Sequence, residues 1–153
     1  MEIRAGVSGK DEVSSVKLWL DALAARDGEV DSESVGARAR EKFNEQIVRF
    51  AVLGRGVDGF ALTTNPDWGV ARLEMLAISP HTSIRGGGRA LLTDAISHAG
   101  RAGFHRFELQ VRDGNSKAIG LYESAGLKQE GVGQKHPLGG RPMLTFSLSL
   151  AVI

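Results

Sequence analysis

Five consecutive residues, Arg85-Gly86-Gly87-Gly88-Arg89, have the types and spacing of an anion site. Three glycines in a row leave main-chain N–H groups uncovered by side chains. An amphipathic pattern that reads as a helix follows directly, so the positive end of a helix dipole points back into the loop. Arg85 and Arg89 add forked cationic donors. Together these parts suit a pyrophosphate. Two better-known phosphate loops are excluded. A P-loop requires Lys-Ser or Lys-Thr after its last glycine, and Arg89-Ala90 stands there. A dinucleotide fingerprint requires a third small residue where Leu91 stands. It also requires a strand running straight into the first glycine, whereas Ser79 to Arg85 intervene here. Glu108 is at a fair distance for a ribose-binding acid but falls in mid-strand. A Rossmann-type oxidoreductase is therefore the weaker alternative.

The elements that must carry this loop follow from periodicity. Ile3 to Ala5 predicts a short strand. Lys10 to Arg26 predicts a helix with Val13, Val16, Leu20, Leu23 and Ala24 on its inner side, and Ser32 to Phe43 a second, with Ser32 as a candidate N-cap. Ile47 to Leu53 and Val57 to Thr63 predict a hairpin, and Asn65-Pro66-Asp67 a loop. Val70 to Ile78 predicts a strand with Leu73, Met75 and Ala77 on one face and Arg72, Glu74, Leu76 and Ile78 on the other. Gly88 to about Gly100 predicts a helix, Phe104 to Arg112 a strand, and Ser116 to Ala125 a helix capped by Asn115 or Ser116. Leu127 to Val132 and Pro142 to Ala151 predict the closing strands. The order β-α-α-β-β-β-α-β-α-β-β calls for a mixed sheet with helices on its faces.

Residues 70 to 127 resemble the GNAT family of N-acetyltransferases. The family pattern is an apolar strand ending L-x-V-x-P, then Q/R-x-x-G-x-G/A opening a helix, then L-x-V-x-x-x-N-x-x-A-x-x-L-Y and a terminal G-F. This chain has Leu76-Ala77-Ile78-Ser79-Pro80 and Ser83-Ile84-Arg85-Gly86-Gly87-Gly88. It continues with Leu109-Gln110-Val111, Asn115, Ala118, Leu121-Tyr122 and Gly126-Leu127. The flanking elements match as well. Ser83 replaces the opening Gln or Arg, Gly87 a residue that is usually apolar, and Leu127 the usual Phe. Gly87 is expected to make the loop floppier.

The resemblance implies a mixed α/β GNAT-like fold, its sheet mostly antiparallel and flanked by helices, over residues 1 to 153. It implies an acetyl-CoA-dependent N-acetyltransferase that moves an acetyl group to a primary amine of a small molecule or peptide by direct attack. The main chain of Leu76, Ala77 and Ile78 is expected to pair with the pantetheine arm as an added strand. Ile84, Arg85, Gly86, Gly87, Gly88 and Arg89 are expected to hold the pyrophosphate, and Asn115 the arm or the adenosine side. Tyr122, the chain's one tyrosine, matches the usual general acid at the sulfur. Glu74 is the candidate base, because the family's common base positions hold Arg72 and Gln110 here. A catalytically degenerate acyl-CoA sensor is the alternative. The acceptor side is expected to come from the first two helices and the loop from Gly131 to Arg141. There Asp27, Glu29, Asp31 and Glu33 could steer a cationic amine.

Composition narrows the rest. Cysteine is absent, which excludes thiolate chemistry and disulfides. Nineteen basic against 18 acidic side chains give no reason to expect nucleic acid or an anionic membrane. The first residues have no apolar h-region, and a cytoplasmic location is expected. His81, His98, His105 and His136 have no metal-ligand spacing, so no metal is expected. Trp19 is expected in the core and Trp68 in packing over the site. Many relatives pair, so a homodimer is a further expectation.

Overall fold

The computed structural model describes residues 2–82, 84–134 and 142–150. Its order is β1 (Ile3–Ala5), α1 (Lys10–Asp27), α2 (Ser32–Lys42), β2 (Ile47–Leu53), β3 (Gly59–Asp67), β4 (Val70–Ile78), α3 (Gly87–Arg101), β5 (Arg106–Arg112), α4 (Ser116–Ser124), β6 (Lys128–Gln134) and β7 (Met143–Ser149). This is the order expected from periodicity. The strands form one sheet, β1-β2-β3-β4-β5-β7-β6, antiparallel except for the β4–β5 pair. That pair is parallel because α3 carries the chain back across the sheet between them.

Two apolar layers flank the sheet. Leu91, Leu92, Ala95 and Ala99 of α3 pack with Phe107, Leu109 and Phe146, and α4 adds Ala118, Leu121 and Tyr122 to this face. On the other face Val16 and Leu18 of α1 and Ala39 of α2 meet Phe50, Phe60, Leu62 and Met75. Phe43 stands edge-on to Phe50 at 5.0 Å, and Trp19 edge-on to Phe60 at 6.4 Å, so Trp19 lies against the core as expected.

Several local expectations are corrected. Met75 and Ala77 do not share a face with Leu73. Leu62 pairs with Met75 and Thr63 with Leu73, so Glu74 is an extra residue in β4. This β-bulge inverts the alternation. Ala71 and Leu73 face α3, Met75 and Ala77 face α1 and α2, and Leu76 and Ile78 turn back toward α3. The segment Asn65-Pro66-Asp67 is the end of β3, not a loop. Pro66 is tolerated because it falls in the register break between Thr64↔Arg72 and Asp67↔Val70, where the β3–β4 ladder is interrupted. The chain reverses at Trp68-Gly69, where Gly69 takes φ 74°. The inner stripe of α1 is rotated from the expected one. Val13 is 72% exposed, while Asp11 and Ser15 are buried. Asp31, not Ser32, caps α2, accepting from the N–H groups of Glu33 and Ser34.

Thr63 Oγ1 and Ser15 Oγ are buried with no hydrogen-bond partner among the described residues. Replacing a buried, unpaired hydroxyl by a methyl of the same shape removes a desolvation cost and loses no bond. Thr63→Val is therefore expected to leave stability unchanged or raise it by up to about 1 kcal/mol. Chemical denaturation checks this, and a loss above about 1 kcal/mol would reveal a hidden partner.

Candidate active site

At the bulge β4 also parts from β5. Pairing between β4 and β5 runs only from Val70↔Arg106 to Leu73↔Leu109. Past that point Met75 to Ile78 pair with β3 alone, and Gln110 to Arg112 with β7 alone. The two strands splay, and the β4 edge is left with free N–H and C=O groups. A cleft of about 610 Å³ opens beside this edge.

One wall of the cleft is the main chain of Leu76, Ala77 and Ile78, continued by Ser79 and Pro80. A second is the start of α3. Gly86 sits at its N-cap with φ 76° and ψ 8°, a left-handed conformation that favours glycine. Glycine supplies no capping side chain, so the first N–H groups of α3 have no intrahelical partner and face the cleft at the positive end of the dipole. Gly87 is buried inside the first turn. A Cβ there would lie 2.9 Å from Ile78 Cδ1 and 3.0 Å from Leu53 Cδ2. The missing side chain therefore seats the helix end down on β2 and β4, contrary to the floppier loop expected from its composition. Gly88 and Arg89 complete this wall, and Ile84, 37% exposed, closes over it.

The third wall is α4. Asn115 lines the cleft while its Oδ1 caps the helix, accepting from the Ala118 N–H at 3.4 Å. Ala118, Leu121 and Tyr122 follow on the same face. Burial pushes the Tyr122 phenol above its ordinary range, and the opposing pull of Arg26 is the smaller effect. Tyr122 is thus a protonated donor at neutral pH.

Of the candidate cofactor-binding residues, Leu76, Ala77, Ile78, Ile84, Gly86, Gly87, Gly88, Arg89 and Asn115 meet in this one cleft, and so does Tyr122. Arg85 is exposed and does not line it. Glu74 stands apart, on the sheet face that α1 and α2 cover. Its side chain is 6% exposed. Oε1 accepts from Thr64 Oγ1 at 3.1 Å, and Oε2 lies 3.1 Å from Lys42 Nζ. Arg72 is farther, at 3.9 Å, and is committed to Glu108 at 2.7 Å. Lys42 and Thr64 were not singled out from the sequence, because nothing local links α2, β3 and the bulge. Ala118 and Leu121 were legible as members of the family motif, and Ala118 lies three and four residues before Leu121 and Tyr122, which puts all three on the cleft side of α4.

The acidic segment after α1 is partly committed. Asp27 lies between Arg26 at 2.9 Å and Arg112 at 3.7 Å, and Asp31 is a helix cap. Trp68 is 83% exposed and stacks on His105 at 5.0 Å, at the end of β4 remote from Ile78. It does not cover the cleft. Ser83, His136 and the loop from 135 to 141 lie outside the described residues. Among the described residues no group of three His, Asp or Glu could hold a metal ion, and no helix is long and apolar enough to cross a membrane.

A splayed strand pair, an uncapped glycine-lined helix start and a tyrosine across the cleft now stand together. The profile of the Acetyltransferase (GNAT) family matches residues 17–127. The chain belongs to the GNAT family. Solved structures of the same fold include the ribosomal-protein-S18-alanine N-acetyltransferase of Escherichia coli, with 20% identity and TM-score 0.78 over 99% of this chain and 95% of that one. The ribosomal-protein-alanine N-acetyltransferase of Brucella melitensis has 22% identity and TM-score 0.74 over 98% and 100%. Salmonella typhimurium yncA, solved with its cofactor acetyl-CoA, has 22% identity and TM-score 0.72 over 100% and 95%. No curated protein matches the sequence significantly.

Proposed function

We propose that this GNAT protein transfers an acetyl group from acetyl-CoA to a primary amine of a small molecule or peptide by direct attack. The observation that carries this reading is the free β4 edge lying in one cleft with the open N-terminus of α3. The pyrophosphate fits the N–H groups of Gly87, Gly88 and Arg89, with the Arg89 guanidinium as counter-charge. The pantetheine amides fit the edge from Leu76 to Ile78 as an added strand. An N–H of that edge supplies a donor for the oxyanion of the tetrahedral intermediate. Tyr122 gives its proton to the departing sulfur. Glu74 takes a proton from the amine, directly or through water, from the opposite side of the splay.

The test separates this reading from an acyl-CoA sensor and from a nucleotide oxidoreductase. Coenzyme A at about 100 times its Kd should stabilise the protein by ~2.7 kcal/mol, a rise in Tm of roughly 5–10 °C for a chain of this size. NAD should give no rise. Thiol release from acetyl-CoA should appear with at least one member of an amine panel. Stabilisation by NAD and not by coenzyme A would overturn the reading. Binding of acetyl-CoA with no turnover across the panel would favour the sensor.

A further inference from the structure

Lys42 is the last residue of α2 and its side chain is 40% exposed. A lysine so placed ordinarily keeps its ammonium in water. Here Nζ instead lies 3.1 Å from Oε2 of a carboxylate that is 6% exposed. That carboxylate belongs to Glu74, the bulged residue at which β4 parts from β5. Glu74 precedes Leu76, the first cleft-lining residue, by two positions, about 7 Å along a strand. The chain therefore holds a primary amine of its own against the residue proposed above as the base, where β4 and β5 part and on the sheet face that α1 and α2 cover.

We propose that Lys42 is a self-acetylation site, taking an acetyl group from acetyl-CoA bound in the same molecule's cleft. The proposal rests on the acetyl-transfer reading above. The ammonium gives one proton to Glu74, and the freed nitrogen attacks the thioester carbon. The N–C bond forms as the C–S bond breaks. The nitrogen sheds a second proton, the thiolate receives one from Tyr122, and Tyr122 is reprotonated from water. Acetyl-CoA and the lysine ammonium become N-acetyl-lysine, coenzyme A thiol and one proton released to solvent. Holding the amine beside the base replaces a bimolecular encounter by an intramolecular one, which is where the rate advantage over a free surface lysine arises.

The test uses the wild-type chain with acetyl-CoA and no added amine, followed by peptide mass spectrometry over time. Lys42 should be acetylated at least about tenfold faster than the exposed Lys10, Lys17 and Lys128. The rate constant should not change with protein concentration. It should fall about tenfold or more in both Tyr122→Phe and Glu74→Gln. Acetylation of Lys42 at the rate of the other lysines, or at a rate proportional to protein concentration, would overturn the proposal. If coenzyme A stabilises the protein and an added amine is acetylated while Lys42 stays unmodified, this proposal alone fails. If no coenzyme A species binds, the reading beneath it fails too.

Discussion

Tyr122→Phe should lower kcat about a hundredfold and leave the affinity for coenzyme A within about twofold, the low end of what a positioned general acid contributes. A hundredfold loss corresponds to ~2.7 kcal/mol of transition-state stabilisation. The phenol lines the cleft through α4, and no protein group among the described residues hydrogen-bonds it. Removing it therefore breaks no structural bond, while the ring and its packing remain. A pure acid role affects the step in which sulfur leaves and not the binding of the diphosphate, so kcat should fall and Kd should hold. The pH dependence adds a second check. Burial raises the Tyr122 pKa, so the donor form persists above the usual range for a tyrosine. Any decline of wild-type activity that belongs to this group should fall at higher pH than an ordinary tyrosine titrates, and the Phe variant should lose that limb of the profile. Unchanged kcat in the variant would remove Tyr122 from the mechanism.

Asp11→Ala should cost about 3 kcal/mol of stability, a fall in Tm of roughly 6–12 °C. Asp11 is 4% exposed at the start of α1. Its carboxylate accepts from Arg4 Nη1 at 2.6 Å and Nη2 at 3.1 Å, and from the Val7 N–H at 2.6 Å. Arg4 also donates to the carbonyls of Gly54 at 3.1 Å and Arg55 at 3.2 Å. One ion pair thus ties β1, the β2–β3 turn and the entry of α1. Alanine leaves the Val7 N–H and the guanidinium without their acceptor. Arg4 is 31% exposed and can turn to water, which places the cost at the low end for a broken buried pair. The bonds from Arg4 and from the Val7 N–H lower the Asp11 pKa from 3.8 to about 2. A depressed acid contributes stability above its unfolded pKa and loses it as pH falls through the folded one. The wild-type advantage over the variant should therefore be full at neutral pH and shrink between about pH 4 and pH 2. Thermal unfolding at pH 7 and pH 3 measures both effects. A difference under about 1 kcal/mol at pH 7 would mean the pair is an ordinary surface contact.

These two residues differ in how visible they are from sequence alone. Tyr122 is legible because it belongs to an ordered set of motifs, and because Asn115, Ala118 and Tyr122 repeat at helical spacing. Asp11 is not. A charged residue early in a helix reads as a solvated dipole partner, and only the chain's return through Arg4 buries it.

The sequence by itself determined the element order, the glycine-rich start of α3 and the family, and narrowed the cap of α4 to Asn115 or Ser116. All of these rest on contacts within a few residues, where glycine φ, capping side chains and helical periodicity act directly. Tertiary structure decided what depends on strand pairing between distant segments. One extra residue at Glu74 inverts the faces of β4, and this inversion coincides with the separation of β4 from β5 that leaves the edge free. The same residue is turned toward Lys42 and Thr64 on the far face of the sheet. A bulge is defined by the register of the partner strand, which no local pattern encodes.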